Sequence, residues 1–301
     1  MDKEVTKWIG LSMFLFALPL RAELMILTCE PEWAALAREI AGGETRVVSA
    51  TTAAQDVHRI QPRPSLIAKA RRADLLVCTG ADLESAWLPQ LLRRANNPGI
   101  RPGNTGYLEA ASQIQLREIP ASIDRAEGDL HPQGNPHLHL DPRNLPPVAK
   151  EMAMRLAILD PERAETYRRR ADDFAQRWHR AVAEWELRAR PLRSLRVVVD
   201  HQQWAYLLAW LDMERVGALE PKPGLPPSPG YLAELKARLS EHPADLLLRA
   251  DRHESQAAAW LLGQVSLPEA VLPYTVEADA DGTALFGLFD RLISGLLETM
   301  Q

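Results

Sequence analysis

A two-lobed α/β fold with mostly parallel sheets is predicted for this chain of 301 residues, and three observations predict it. Short apolar runs alternate with segments of helical spacing, first between Leu24 and Leu91 and again after Leu195; such alternation marks strands covered by helices. Between the two series stands a long segment without a breaker until Pro191, striped with apolar residues along one side. Histidines follow strand-like runs in both series, at the end of an open α/β sheet where ligands bind.

With 46% hydrophobic and 25% charged residues the chain is globular and can bury a full core, in one large or two ordinary domains. A formal net charge of -5 and a pI near 5.9 argue against a phosphate-tracking surface. No Lys/Arg run is interleaved with aromatics either, so nucleic acid is excluded as a partner.

Taken in order, Lys3 and Lys7 precede an apolar run from Trp8 to Leu20 that Arg21-Ala22 closes. This is the layout of a secretory signal over residues 1–22, with an uncleaved anchor as the other reading. The run is shorter than the roughly 20 residues of a membrane span, and no other segment approaches that length. A soluble, exported mature chain is expected.

Leu24 to Cys29 reads as a buried strand, Glu32 to Ile40 as a helix stopped by Gly42-Gly43, and Thr45 to Thr51 as a second strand. Ala53 to Pro64 is a loop holding His58, Ser65 to Arg72 a helix, Asp74 to Cys78 a third strand, and a helix follows through Trp87 and Leu91. Cys29 and Cys78 end two strands; if these are parallel neighbours the sulfurs share one sheet edge, either as a disulfide or as two buried thiols. Pro98 to Ile119 is loop and weak strand, and Arg143 to Leu159 is helical. Asp160-Pro161-Glu162 supplies an N-cap, a first-turn proline and a first-turn acid. Tyr167, Ala171, Phe174, Trp178, Val182 and Trp185 then align down one long helix. About 30 residues would span roughly 45 Å. Leu195 to Asp200 starts the second lobe as a strand, with a helix marked by Trp204 to Leu211. Glu220 to Pro229, with five prolines and a glycine, is a rigid connector. Helices at Tyr231–Leu239, Ser255–Gly263 and Leu285–Met300 alternate with strands at Ala244–Arg249 and Ala270–Val276. The domain reading is 1–22 signal, 23–159 first lobe, 160–191 linking helix and 192–301 second lobe.

The stretch His131 to Pro142 puts three imidazoles within nine residues, framed by prolines and a glycine. A stiff turn fixes an imidazole before an ion arrives, which lowers the ordering cost of binding. His58 lies one loop beyond the second strand, His137 in the proline-framed turn, and His201 directly after the strand Val197-Val-Val-Asp200. Three imidazoles thus come from three loops, two in the first lobe and one in the second, as holding an ion between lobes requires. His179, His242 and His253 read as surface residues.

These residues also carry a resemblance. Asp56-Val-His58 followed by Pro62-Arg-Pro64-Ser65 resembles the Asp-Pro-His and Pro-x-Pro-Ser motif of periplasmic zinc and manganese binding proteins of ABC-type importers, the cluster A-I family. Asn135-Pro-His137-Leu-His-Leu-Asp141-Pro142 is similar to its Asp-Pro-His-x-Trp-Leu-Asp-Pro, and Asp200-His201 with Trp204 and Tyr206 to its third ligand segment. Ala73-Asp74 to Gly80 with Leu83-Glu84 is similar to its Ala-Asp-Leu-Val, Gly and Leu-Glu pattern. The resemblance covers the mature chain. It implies two Rossmann-like lobes with parallel sheets joined by one long rigid helix, the ion in the cleft, and His58, His137 and His201 as ligands.

Its departures are Val57 for proline, His139 for tryptophan, and Val276 where the fourth ligand, an acid, is expected. Asp279 is the first alternative for that ligand, with Glu277, His131 or a water open. Three nitrogens suit Zn²⁺, which is bound as cargo, whereas manganese favours oxygen. The implied role is periplasmic capture of zinc by a monomer and delivery to an ABC permease, without catalysis. Manganese or iron cargo, a secreted zinc metallochaperone and a zinc hydrolase are the alternatives; for the last, no His-Glu-x-x-His or comparable pairing supplies a base.

Overall fold

A computed structural model describes residues 23–120, 131–222, 224–251 and 255–301. The signal segment and His253 lie outside them. The first lobe is a four-stranded parallel sheet of β1 (Met25–Thr28), β2 (Arg46–Ser49), β3 (Leu75–Cys78) and β4 (Tyr107–Glu109), in the order β2-β1-β3-β4. The second repeats it with β5 (Arg196–Val199), β6 (Glu214–Ala218), β7 (Leu246–Ala250) and β8 (Glu269–Leu272), in the order β6-β5-β7-β8. Every pairing is parallel. The two-lobed parallel α/β expectation is met. In each sheet the first strand is central, so the strand order reverses beside it, and the loops at that switch point form a crevice.

Helices cover the sheets as the apolar spacing requires. The first lobe carries α1 (Pro31–Ala41), α2 (Pro64–Arg72), α3 (Leu88–Ala95) and α4 (Leu145–Leu159). The second carries α6 (Ala205–Leu211), α7 (Pro229–Glu241), α8 (Gln256–Leu262) and α9 (Thr283–Thr299). Between them α5 (Ala164–Arg188) runs 25 residues, about 37 Å. It is shorter than expected because Pro161 and Pro191 each sit in a separate 3-10 turn, at Pro161–Arg163 and Arg190–Leu192. Asp160 makes no side-chain cap; its carboxylate accepts from Tyr167 OH at 2.8 Å and pairs with Arg163.

The stripe on α5 is fully used. Tyr167, Ala171, Phe174, Trp178, Val182 and Trp185 are all buried, and α5 packs on α1, α4 and α9. Trp178 and Trp185 meet Phe286 and Phe289 of α9 edge-on or stacked at 4.6–6.3 Å between ring centroids, separations at which aromatic pairs attract. One apolar cluster therefore runs through both lobes, from Ile26 to Leu296.

Strand β6 escaped the sequence reading. It is an edge strand whose Glu214 and Arg215 are exposed and whose Gly217 interrupts the side-chain pattern, so it shows none of the apolar run of a central strand. Cys29 directly follows β1, Cys78 ends the neighbouring β3, and the two are joined as a disulfide, their Cα atoms 4.7 Å apart.

Candidate functional site

A cavity of about 870 Å³ lies between the strand-end loops of the two lobes, with His58, His137 and His201 on its wall. Each arrives by local chemistry. Asp56 caps a 3-10 turn, Val57–Arg59, by accepting from His58 N–H at 3.0 Å. The same Oδ1 lies 3.0 Å from His58 Nδ1. Val57, the residue in place of proline, gives its carbonyl to Trp87 Nε1–H at 2.8 Å, which pins the turn to the first lobe.

His137 enters through a tight approach. Gly134 has φ 127°, and a Cβ there would stand 2.8 Å from the Arg117 carbonyl oxygen, so only glycine fits. Asn135 Oδ1 accepts from His137 N–H at 3.0 Å, and its Nδ2 donates to Gln202 O and to Glu118 Oε2, each at 2.9 Å. One side chain thus ties the His137 loop to the loop carrying His201. Burial pushes His137 well below the ordinary imidazole range, with the rings of His201, His58, His139 and His131 adding to the effect. That direction favours the neutral form, the one in which an imidazole can bind a metal.

His201 directly follows β5. Asp200 holds the corner: Oδ1 accepts from His201 N–H at 2.7 Å and Trp204 Nε1–H at 2.8 Å, and Oδ2 from Ala250 N–H at 2.8 Å. Glu220 Oε2 lies 2.7 Å from His201 Nδ1. Two of the three rings therefore give Nδ1 to a carboxylate, which leaves Nε2 as the lone-pair donor toward the cavity; this is how metal-binding histidines are oriented.

The rings converge without closing fully. Centroids lie 6.1 Å apart for His58 and His137 and 5.8 Å for His137 and His201. Around a tetrahedral ion with Zn–N bonds of about 2.0–2.1 Å, imidazole centroids stand about 5.2 Å apart, so His137 stands within about 1 Å of that spacing from each of the other two rings. His131, from the same loop as His137, brings its Nε2 to 3.3 Å from His58 Nε2. That equals the N–N edge of such a tetrahedron, about 3.3 Å.

The structure does not bring the carboxylates expected as a fourth ligand to the cavity wall. Glu277 and Asp279 are exposed and do not line it. The loop that carries them is bolted to α1 instead: Arg38 donates to the carbonyls of Ala278 at 2.8 Å and Ala280 at 2.7 Å. Burial pulls the Arg38 guanidinium down, and Asp279 and Asp281 push it back up. Val276, at the place of the expected acid, is a core residue. His139 does not line the cavity. It is buried, with Nδ1 3.3 Å from Glu32 Oε1 and Nε2 2.8 Å from Tyr274 O, and Thr275 Oγ1 donates to Glu32 Oε2 at 2.6 Å. This network joins the lobes beneath the cleft. His179 and His242 are on the surface as expected.

Sequence reasoning missed Glu220, Glu32 and Asn135 as positioning residues. Glu220 carried a signal, an acid at the end of a strand beside β5, visible only once β6 is recognised.

Comparison with known proteins bears on this geometry. The family model described as ZnuA, zinc-uptake complex component A, periplasmic, matches residues 26–298. The manganese ABC transporter substrate-binding lipoprotein PsaA of Streptococcus pneumoniae is 25% identical over 158 residues, 52% of this chain and 48% of that protein. The iron-binding protein YfeA of Yersinia pestis is 28% identical over 145 residues, 47% of this chain and 41% of that one. The chain spans about half the length of the curated relatives it matches. Among solved structures, FpvC from Pseudomonas aeruginosa in complex with Mn²⁺ superposes with a TM-score of 0.78 at 21% identity, covering 93% of this chain and 99% of that one. A zinc-bound ZnuA deletion mutant gives 0.76 at 19% identity over 93% and 99%. These structures share the two-lobed fold.

Proposed function

Because this chain belongs to the family of zinc-uptake complex component A, metal-binding substrate-binding proteins of ABC transporters, we propose that it captures Zn²⁺ between its lobes and delivers it to an ABC permease. The observation that carries the reading is the convergence of His58, His137 and His201 from three loops and two lobes onto one cavity wall, two of them oriented by carboxylates. The fourth donor in this reading is His131, not Asp279, because of its 3.3 Å approach to His58. Four imidazoles make a nitrogen-only set, which favours zinc over manganese, an ion that prefers oxygen. The work is done outside the cytoplasm, in the periplasm, by a monomer.

Manganese or iron is the second reading, favoured by the names of PsaA and YfeA. A zinc-soaked crystal with anomalous data at the zinc edge, together with competition between Zn²⁺ and Mn²⁺ in solution, tests both. One zinc bonded to His58, His137 and His201 and displaced poorly by manganese is the expected result. Preference for manganese, or zinc bound elsewhere, overturns the assignment. His58→Ala, His137→Ala and His201→Ala each remove most of the affinity; full retention in any one takes that residue out of the site.

A further inference from the structure

Among the described residues, the set of three potential ligand atoms within 4.8 Å of one another is Cys29, Cys78 and Glu84. None lines the histidine cavity. The three lie where β1 and β3 end, the carboxyl edge at which open α/β sheets hold ligands. Glu30, the residue after Cys29, joins them. Thr79 N–H is shared between Glu30 Oε2 at 3.1 Å and Glu84 Oε1 at 2.8 Å, and Thr79 Oγ1 donates to Glu30 Oε2 at 2.9 Å. Trp33 Nε1–H fixes that hydroxyl at 2.7 Å.

Two carboxyls are thus buried, 3% and 2% exposed, both bonded to Thr79 N–H, and the Glu84 carboxylate lies within 4.8 Å of both sulfurs. Glu30 Oε1 is fully buried and has no hydrogen-bond partner. Burial raises both carboxyls above their ordinary range.

We propose that reduction of the Cys29–Cys78 disulfide opens a second metal site, in which Cys29, Cys78, Glu84 and Glu30 bind a zinc-like divalent cation. The step balances with a dithiol as reductant. One of its thiolates attacks a cystine sulfur to give a mixed disulfide, and its second thiol displaces that bond to close its own disulfide. Two electrons and two protons pass to the cysteines. The cation then displaces the two thiol protons, and any proton held by the carboxyls, into solvent. Two thiolates and two carboxylates form a tetrahedral set of the kind zinc accepts, and the metal replaces the covalent link between β1 and β3. In an oxidising compartment the disulfide closes this site, so its occupancy reports exposure to dithiols and is independent of the histidine cavity.

Cobalt is the probe, because a thiolate-bound Co²⁺ has a charge-transfer band in the near ultraviolet that imidazole ligation lacks. The full chain is titrated with Co²⁺ either oxidised, or reduced with a dithiol and freed of it anaerobically. The oxidised chain should bind one equivalent without that band, and the reduced chain a second equivalent with it. Glu84→Gln should weaken the second equivalent at least tenfold, and the Cys29→Ser/Cys78→Ser pair should abolish it. His137→Ala should lose the first equivalent and keep the second, which separates failure of this proposal from failure of the histidine site. A reduced wild-type chain that binds no more cobalt than the oxidised one, a second equivalent without the band, or one that survives in the double serine variant overturns the proposal.

Discussion

Removing the Glu220 carboxylate tests whether the cavity is a metal site or only a gathering of histidines. Glu220 Oε2 lies 2.7 Å from His201 Nδ1 and also accepts from Gly224 N–H at 3.2 Å. As an acceptor for Nδ1–H it leaves Nε2 as the lone-pair nitrogen of His201. Because the carboxylate is 33% exposed, solvent screens part of its charge and the orienting effect carries more of the result. Loss of such an outer partner costs about 10- to 100-fold in metal affinity, or about 1.4–2.7 kcal/mol at 1.36 kcal/mol per tenfold. Glu220→Gln keeps an acceptor for Nδ1–H and belongs at the tenfold end. Glu220→Ala frees the ring and belongs at the hundredfold end. Competition against a chromophoric chelator reads both affinities, with one zinc per chain retained in each. A Glu220→Ala affinity within about twofold of wild type, against the range expected for such partners, refutes the reasoning.

The other predictions concern protons, the fourth donor and the lobe junction. Zinc affinity should fall as pH drops from about 7.5 to about 5.5, since imidazole ligands must be deprotonated and protons compete with the metal for their lone pairs; equal calorimetric affinities contradict a histidine site. His131→Ala should weaken zinc by about tenfold or more, the loss of one hydrogen-bond-strength ligand contact or greater, and narrow the preference for zinc over manganese; an unchanged ratio assigns the fourth position elsewhere. His139→Ala takes a buried partner from Glu32 Oε1, and leaving a buried polar atom unsatisfied costs about 1–3 kcal/mol. The Thr275 hydroxyl stays on Glu32, so the lower end is expected, as a drop in the urea midpoint; an unchanged midpoint removes the junction from the stability of the fold. Glu84 is pushed up to about 7, first by burial. A carboxyl raised on folding binds more protons folded than unfolded, so its contribution to stability is complete at low pH and is lost as pH rises toward 7. Wild type should therefore lose melting temperature relative to Glu84→Gln between about pH 4.5 and 7, and parallel pH profiles would falsify the shift.

The linear order of residues determined the lobes, because buried parallel strands must be apolar runs and covering helices must carry a stripe. Ile26, Leu76 and Val198 lie where those runs place them, and Trp178 and Trp185 where the stripe does. It also determined the candidate ligands His58, His137 and His201, since a histidine after a strand in a proline-framed turn has one crevice to face. The chain alone left three things open that folding decided. Edge strand β6 has a solvated, charged face and so no apolar signature, and with it Glu220 was missed as the partner of His201. The proposal of His131 as fourth donor depends on which loop is anchored where: Arg38 holds the 278–280 backbone against α1, while the turn before Asn135 carries His131 to His58. The pairing of Cys29 with Cys78 beside Glu30 and Glu84 depends on β1 and β3 being neighbours in register, a contact across 49 residues. Local pattern specifies which faces are buried, but the meeting of distant polar groups is fixed only when the whole chain is packed.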